Sequence, residues 1–124
     1  MVPDMCLYLR IAAFAVAVAT SVVAEAQEVW RWARNLDEAR AAAAQSNKLV
    51  LIHFGGKTCK PCQQLEREVF AQPGFGQSLS NDFVGVKIDA YLFPSQARDF
   101  KVEMLPTDVI VTPELTVVER RISP

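Results

Sequence analysis

Four consecutive residues, Cys59-Lys60-Pro61-Cys62, carry the clearest chemistry in the chain. Two thiols three positions apart at the start of a helix can close a small disulfide and open it again. A helix N-terminus and nearby cations lower a thiol's pKa from about 8.5 to as little as about 3.5–7.5, and the thiolate is the reactive form. Cys59, nearer the helix start and solvent, is the expected attacking thiolate. Cys62 is the expected resolving thiol, and exchange would pass through a mixed disulfide at Cys59 that Cys62 releases. Lys60 and Lys57 add positive charge nearby, although Lys57 reads equally well as loop solubility. Pro61 falls in the first turn, where its missing N–H costs nothing.

The flanking patterns must hold this pair in place. Leu49-Val50-Leu51-Ile52-His53-Phe54 is a continuous apolar run, the mark of a strand buried on both faces in a parallel or mixed sheet. Helical spacing follows, with Leu65, Val69 and Phe70 on one face, until Gln72-Pro73-Gly74 stops it. Upstream, Asn35 with Glu38 three residues later reads as a capping box. It opens an alanine-rich helix that Ser46-Asn47 ends. Downstream come an ambiguous short helix over 75–81, a strand over 83–89, a short helix over 95–100 and a strand over 107–112. Pro113-Glu114 then turns into a paired strand over 115–121. Trp30 and Trp32 read as packing residues in a lead-in. Helices thus alternate with strands along one sheet.

Residues 1–26 read as a secretory signal peptide: Arg10, an uncharged run from Ile11 to Val23, then Ala24-Glu25-Ala26. The apolar run is shorter than the about 17–25 residues of a membrane-spanning helix. Cleavage would remove Cys6 and leave only Cys59 and Cys62, with acidic and basic residues equal in number. The expected organisation is therefore a signal peptide over 1–26, a lead-in over 27–34 and one domain over 35–124. The balanced charge points to neither nucleic acid nor a membrane surface. Two closely spaced cysteines in an oxidising compartment favour redox chemistry over a disulfide scaffold.

With these features in place, the chain resembles the thioredoxin superfamily over roughly residues 35–121. Three marks carry the resemblance: Cys59-Lys60-Pro61-Cys62 opening a helix after a buried strand, Leu105-Pro106-Thr107 before a later strand, and Val111-Thr112-Pro113-Glu114 turning into a hairpin. Leu65-Glu66-Arg67-Glu68-Val69-Phe70, followed by Gln72-Pro73, resembles a secreted branch. That branch includes periplasmic thioredoxin-like proteins and the C-terminal domain of the membrane thiol reductase of the periplasm. The resemblance implies an α/β thioredoxin-like fold with a central mixed sheet flanked by helices. It also implies a cis bond before Pro106 with that loop against the dithiol. The expected activity is exported thiol–disulfide oxidoreduction on protein thiols and disulfides, in the periplasm or outside the cell. The expected protein is a monomer, with a membrane electron donor as a further partner, no nucleic acid, no stable membrane insertion after cleavage, and no cofactor or metal.

Three departures accompany it. Thr58 stands where the family has Trp before the first cysteine, so an aromatic docking platform is absent or supplied elsewhere. His53 stands where the family has a buried acid that helps deprotonate the second cysteine. No residues follow for the C-terminal helix that covers one sheet face, so the chain reads as lacking it, as a fragment or with that face covered otherwise. Two roles stay open for His53: a satisfied core residue, or a proton relay to Cys62 that places it in reach of that thiol directly or through one water. Zinc held by Cys59, Cys62 and His53 would lack a fourth protein ligand. The competing functional readings are a non-catalytic binding module of a larger cell-envelope protein, and a chaperone-like binder. Whether a dithiol of this kind reduces, oxidises or isomerises is not encoded in Lys60-Pro61.

Overall fold

The computed structural model describes residues 30–123. The expected signal segment, with Arg10, Cys6 and Ala24-Glu25-Ala26, lies outside the described residues, as do the first residues of the lead-in.

Helix α1 (Leu36–Ser46) begins as its cap dictates, with the Asn35 side chain accepting from the Glu38 backbone N–H at 2.8 Å. It ends at Asn47 in the left-handed conformation that asparagine tolerates at helix C-termini. Strand β1 (Leu49–Gly55) follows directly. Helix α2 (Lys60–Leu65) continues into a π-helical turn (Glu66–Phe70), then come α3 (Phe75–Leu79), β2 (Phe83–Asp89), α4 (Pro94–Asp99), β3 (Thr107–Val111) and β4 (Val117–Ile122). The sheet order is β2-β1-β3-β4. The central β1 runs parallel to β2 and antiparallel to β3. This is the mixed sheet the sequence implies, arranged as a thioredoxin-like α/β fold. The lead-in contributes a single parallel bridge, Ala33 to Val86, rather than a strand.

Alternation sorts the strands into two faces. Val50, Ile52 and Phe54 on β1 lie opposite Val111, Val109 and Thr107 on β3, and all six are essentially inaccessible. Val86 and Ile88 extend this face, and Ala39 and Ala43 of α1, Ala97 of α4 and Phe100 complete one apolar core. Burying a side chain such as Phe54 contributes about 1.5–3 kcal/mol. The other face carries a charged row. His53 lies opposite Lys87 on β2 and Asp108 on β3, and Asp108 lies opposite Arg121 on β4.

Three expectations need correction. After Leu65 the helix does not hold α-helical spacing. The Ala71 N–H donates to the Glu66 carbonyl five residues back, widening the turn. Phe70 turns inward, while Val69, expected on the apolar stripe, is 40% exposed. The final strand begins at Val117, not at residue 115. Leu115 adopts a positive φ of 71°, the Leu115 N–H closes a turn onto Thr112, and the register shifts between Ile110 and Val111. Strand β3 also ends at Val111 rather than residue 112, so the connection takes three residues more than Pro113-Glu114. The short helix near residue 95 starts one residue early, at Pro94, whose fixed φ suits a first turn.

Candidate active site

Strand β1 ends at Gly55, and a short turn carries the chain to Cys59, with the Cys59 N–H donating to the Gly56 carbonyl at 3.2 Å. Cys59 is the N-cap of α2: its Sγ accepts from the Cys62 N–H at 3.2 Å. Cys59 and Cys62 are joined in a disulfide with Cα atoms 5.2 Å apart. Cys59 is 9% exposed and Cys62 3%, so the first cysteine is the more accessible of two largely buried ones. Lys60 and Pro61 form the exposed first turn of α2, and Pro61 sits where no N–H is needed.

The Leu105–Pro106 peptide bond is cis. Pro106 is buried, and Thr107 Oγ1 donates to the Met104 carbonyl at 2.6 Å, closing the loop ahead of β3. Because Thr107 pairs with Phe54, this loop emerges beside the end of β1 that leads to the cysteines. Leu105 lines a surface cavity with Cys59 and Tyr91.

An aromatic ring, that of Tyr91, does lie on the turn before Cys59. A Cβ on Gly56 would lie 2.4 Å from Tyr91 Cε2, so glycine is what lets the ring rest on this turn. The ring is supplied from the β2–α4 connection, where Asp89 Oδ1 accepts from the Tyr91 and Leu92 N–H groups at 2.9 and 3.2 Å. Tyr91, Leu92, Phe93 and Met104 are all more than half exposed.

Beneath the dithiol, His53 is 3% exposed and makes its hydrogen bond to a residue the sequence reading did not single out. Its Nδ1 lies 2.7 Å from Asp108 Oδ1. Asp108 takes this place because the ladder register sets β3 directly against this point of β1. Ser123 Oγ donates to the second Asp108 oxygen at 3.4 Å. Phe70 meets the imidazole edge-on, 4.7 Å between centroids. Lys87 lies over the Trp32 and Phe70 rings and donates to Glu66 Oε2 at 2.5 Å. His53 and Cys62 nevertheless line one cavity of about 380 Å³, together with Gly55, Lys57, Glu66 and Lys87. Asp108 had one legible signal: it is the only charge in the run Thr107-Asp108-Val109-Ile110-Val111.

A disulfide at a helix N-terminus, beside a cis-proline loop and near a partly buried polar dyad, is suited to thiol–disulfide exchange. Residues 31–113 match a family described as thioredoxin-like. Thioredoxin H2 of Arabidopsis thaliana is 32% identical over 81 residues, which cover 65% of this chain and 55% of that protein. Human spermatogenesis-associated protein 20 is 40% identical over 52 residues, 42% of this chain and 7% of that protein. The chain thus spans little more than half of the first relative and a small part of the second. Among solved structures, a thioredoxin from Thermus thermophilus superposes with a TM-score of 0.66 at 27% identity, covering 77% of this chain and 76% of that one. DsbH oxidoreductase gives 0.66 at 17% identity, over 75% and 72%, a likeness of fold.

Proposed function

Because the chain belongs to the thioredoxin-like family, we infer that it is an exported thiol–disulfide oxidoreductase acting on protein thiols and disulfides. The observation that carries this reading is the Cys59–Cys62 disulfide at the N-terminus of α2, with the more accessible cysteine first. Cys59 attacks a substrate disulfide to give a mixed disulfide, and Cys62 displaces the substrate. Tyr91 and Met104, exposed at the rim, offer apolar surface to the polypeptide flanking the substrate cysteine. Arg10, the run from Ile11 to Val23 and Ala24-Glu25-Ala26 support export to the periplasm or beyond. There a membrane-bound electron donor would restore the dithiol of a monomeric protein.

The test is the redox equilibrium of Cys59–Cys62 against glutathione, paired with catalysed turnover of a disulfide-bonded protein. A potential near about −270 mV identifies a reductant and one near about −120 mV an oxidant. No turnover in either direction refutes the reading.

A second reading has its own observation. On the face of the charged row, Leu51 and Ile110 are only partly buried; separately, along the edge strand β4, Val117, Val118 and Ile122 are exposed. A non-catalytic module of a larger protein would use such surface for docking. It predicts a dithiol that cycles without turning over substrates.

A further inference from the structure

Resting on the exchange reading above, we propose that Asp108 is a positioning residue that aims His53 at Cys62, and that Gly55 keeps open the gap across which a proton passes between them. The two ring nitrogens of His53 have separate surroundings. Nδ1 faces Asp108 Oδ1 at 2.7 Å. An ionised carboxylate only accepts hydrogen bonds, so Nδ1 carries the hydrogen and, in the neutral ring, Nε2 carries the lone pair. Nε2 borders the space above Gly55: a Cβ there would lie 3.1 Å from Nε2 and 3.6 Å from Cys62 Cβ. The basic nitrogen and the Cβ of the resolving cysteine therefore flank the position of this strand that has no side chain, and both residues line the same cavity.

The other charged groups around the ring are accounted for. Lys87 of β2 is paired with Glu66 of the π-helical turn. Asp89 of β2 and Lys57 of the β1–α2 turn line the cavity. Asp89 Oδ1 is held by the Tyr91 and Leu92 amides. Arg121 of β4 lies opposite Asp108 in the ladder. Asp108 is the carboxylate in contact with the imidazole. The acid that the family resemblance places on β1 is here one rung across the sheet, with His53 between it and the dithiol.

The step balances as follows. With substrate held on Cys59, the Cys62 thiol gives its proton to His53 Nε2, directly or through one water. The Cys62 thiolate attacks Cys59 Sγ, so the Cys59–Cys62 bond forms while the Cys59–substrate bond breaks. The substrate sulfur leaves with the electron pair and takes a proton from solvent. Two electrons have passed from the dithiol to the substrate disulfide. The imidazolium, paired with Asp108 in the interim, returns its proton to water.

Single-turnover kinetics with the full reduced chain and a disulfide-bonded protein separates formation of the mixed disulfide from its release. Near neutral pH, Asp108→Asn should slow release about tenfold and His53→Ala about 100-fold, in the range of lost general-base catalysis. Formation should change by less than about twofold, which also shows that the variants are folded. The deficits should narrow as pH rises into the range where a thiol ionises unaided. The double variant should be no slower than His53→Ala alone. Gly55→Ala, which fills the gap, should slow release selectively as well. Parental release in Asp108→Asn or Gly55→Ala overturns the proposal, as do equal losses in both steps or deficits that multiply in the double variant. No mixed disulfide in the parent overturns the exchange reading instead.

Discussion

The two faces of the sheet are made by alternate residues of the same strands, yet they are built for different work. On one face Val50, Ile52, Phe54, Val86, Val109 and Val111 have no measurable exposure and belong to one apolar core. On the other, an intervening rung carries Lys87, His53 and Asp108, with the dithiol beyond the end of β1. A side chain moved by one position along β1 changes from core to chemistry, because alternation has a period of two. The apolar face holds the strands in register. That register in turn sets Asp108 against His53, so the polar face depends on the apolar one for its geometry.

The contrast breaks first if the apolar face proves dispensable. Phe54, buried and 5.7 Å from Phe100 between ring centroids, should cost about 3–5 kcal/mol on truncation to alanine. Equilibrium urea denaturation checks this, and a loss below about 1 kcal/mol would contradict the assignment of stability to that face. His53→Ala should cost less, about 1–3 kcal/mol, chiefly from leaving Asp108 without its partner. A loss equal to that of Phe54→Ala would make the two faces alike.

The smallest expected effect lies away from both faces. The Glu38 carboxyl sits below its ordinary range, first through its hydrogen bond from Arg34 and then through that residue's charge, with desolvation opposing. A carboxyl lowered on folding adds stability above its unfolded pKa and loses it as pH falls through the folded one. Glu38→Gln should therefore be slightly less stable than the parent at neutral pH, and the two should converge on acidification. Because the pair is exposed, the gap should be near the limit of measurement; a large one would show that α1 is held from its solvent side.

Much of this arrangement was legible in local patterns. The Cys59–Cys62 spacing, the Asn35 cap and the apolar run of β1 each act within a few residues, and each appears where the pattern puts it. The His53–Asp108 pair was not legible because it depends on which strands become neighbours and in what register, a contact across 55 positions of sequence. The π-helical turn escaped for another reason: Glu66 to Phe70 suits an α-helix equally well by composition, and packing of Phe70 against His53 and Trp32 accompanies the wider turn. Tyr91 was hidden because its partner is a glycine, which leaves no side-chain signal of contact. The late start of β4 comes from a positive φ at Leu115, which nothing in that residue's type announces.

The central claim is that Cys59 attacks and Cys62 resolves on the polar face. Its most direct test is to mix reduced Cys62→Ser and reduced Cys59→Ser, separately, with a disulfide-bonded protein and to map the adducts by mass spectrometry. The account predicts a mixed disulfide through Cys59 that accumulates in Cys62→Ser because nothing releases it, and little adduct in Cys59→Ser. Accumulation through Cys62 in the second variant, with none in the first, would contradict it.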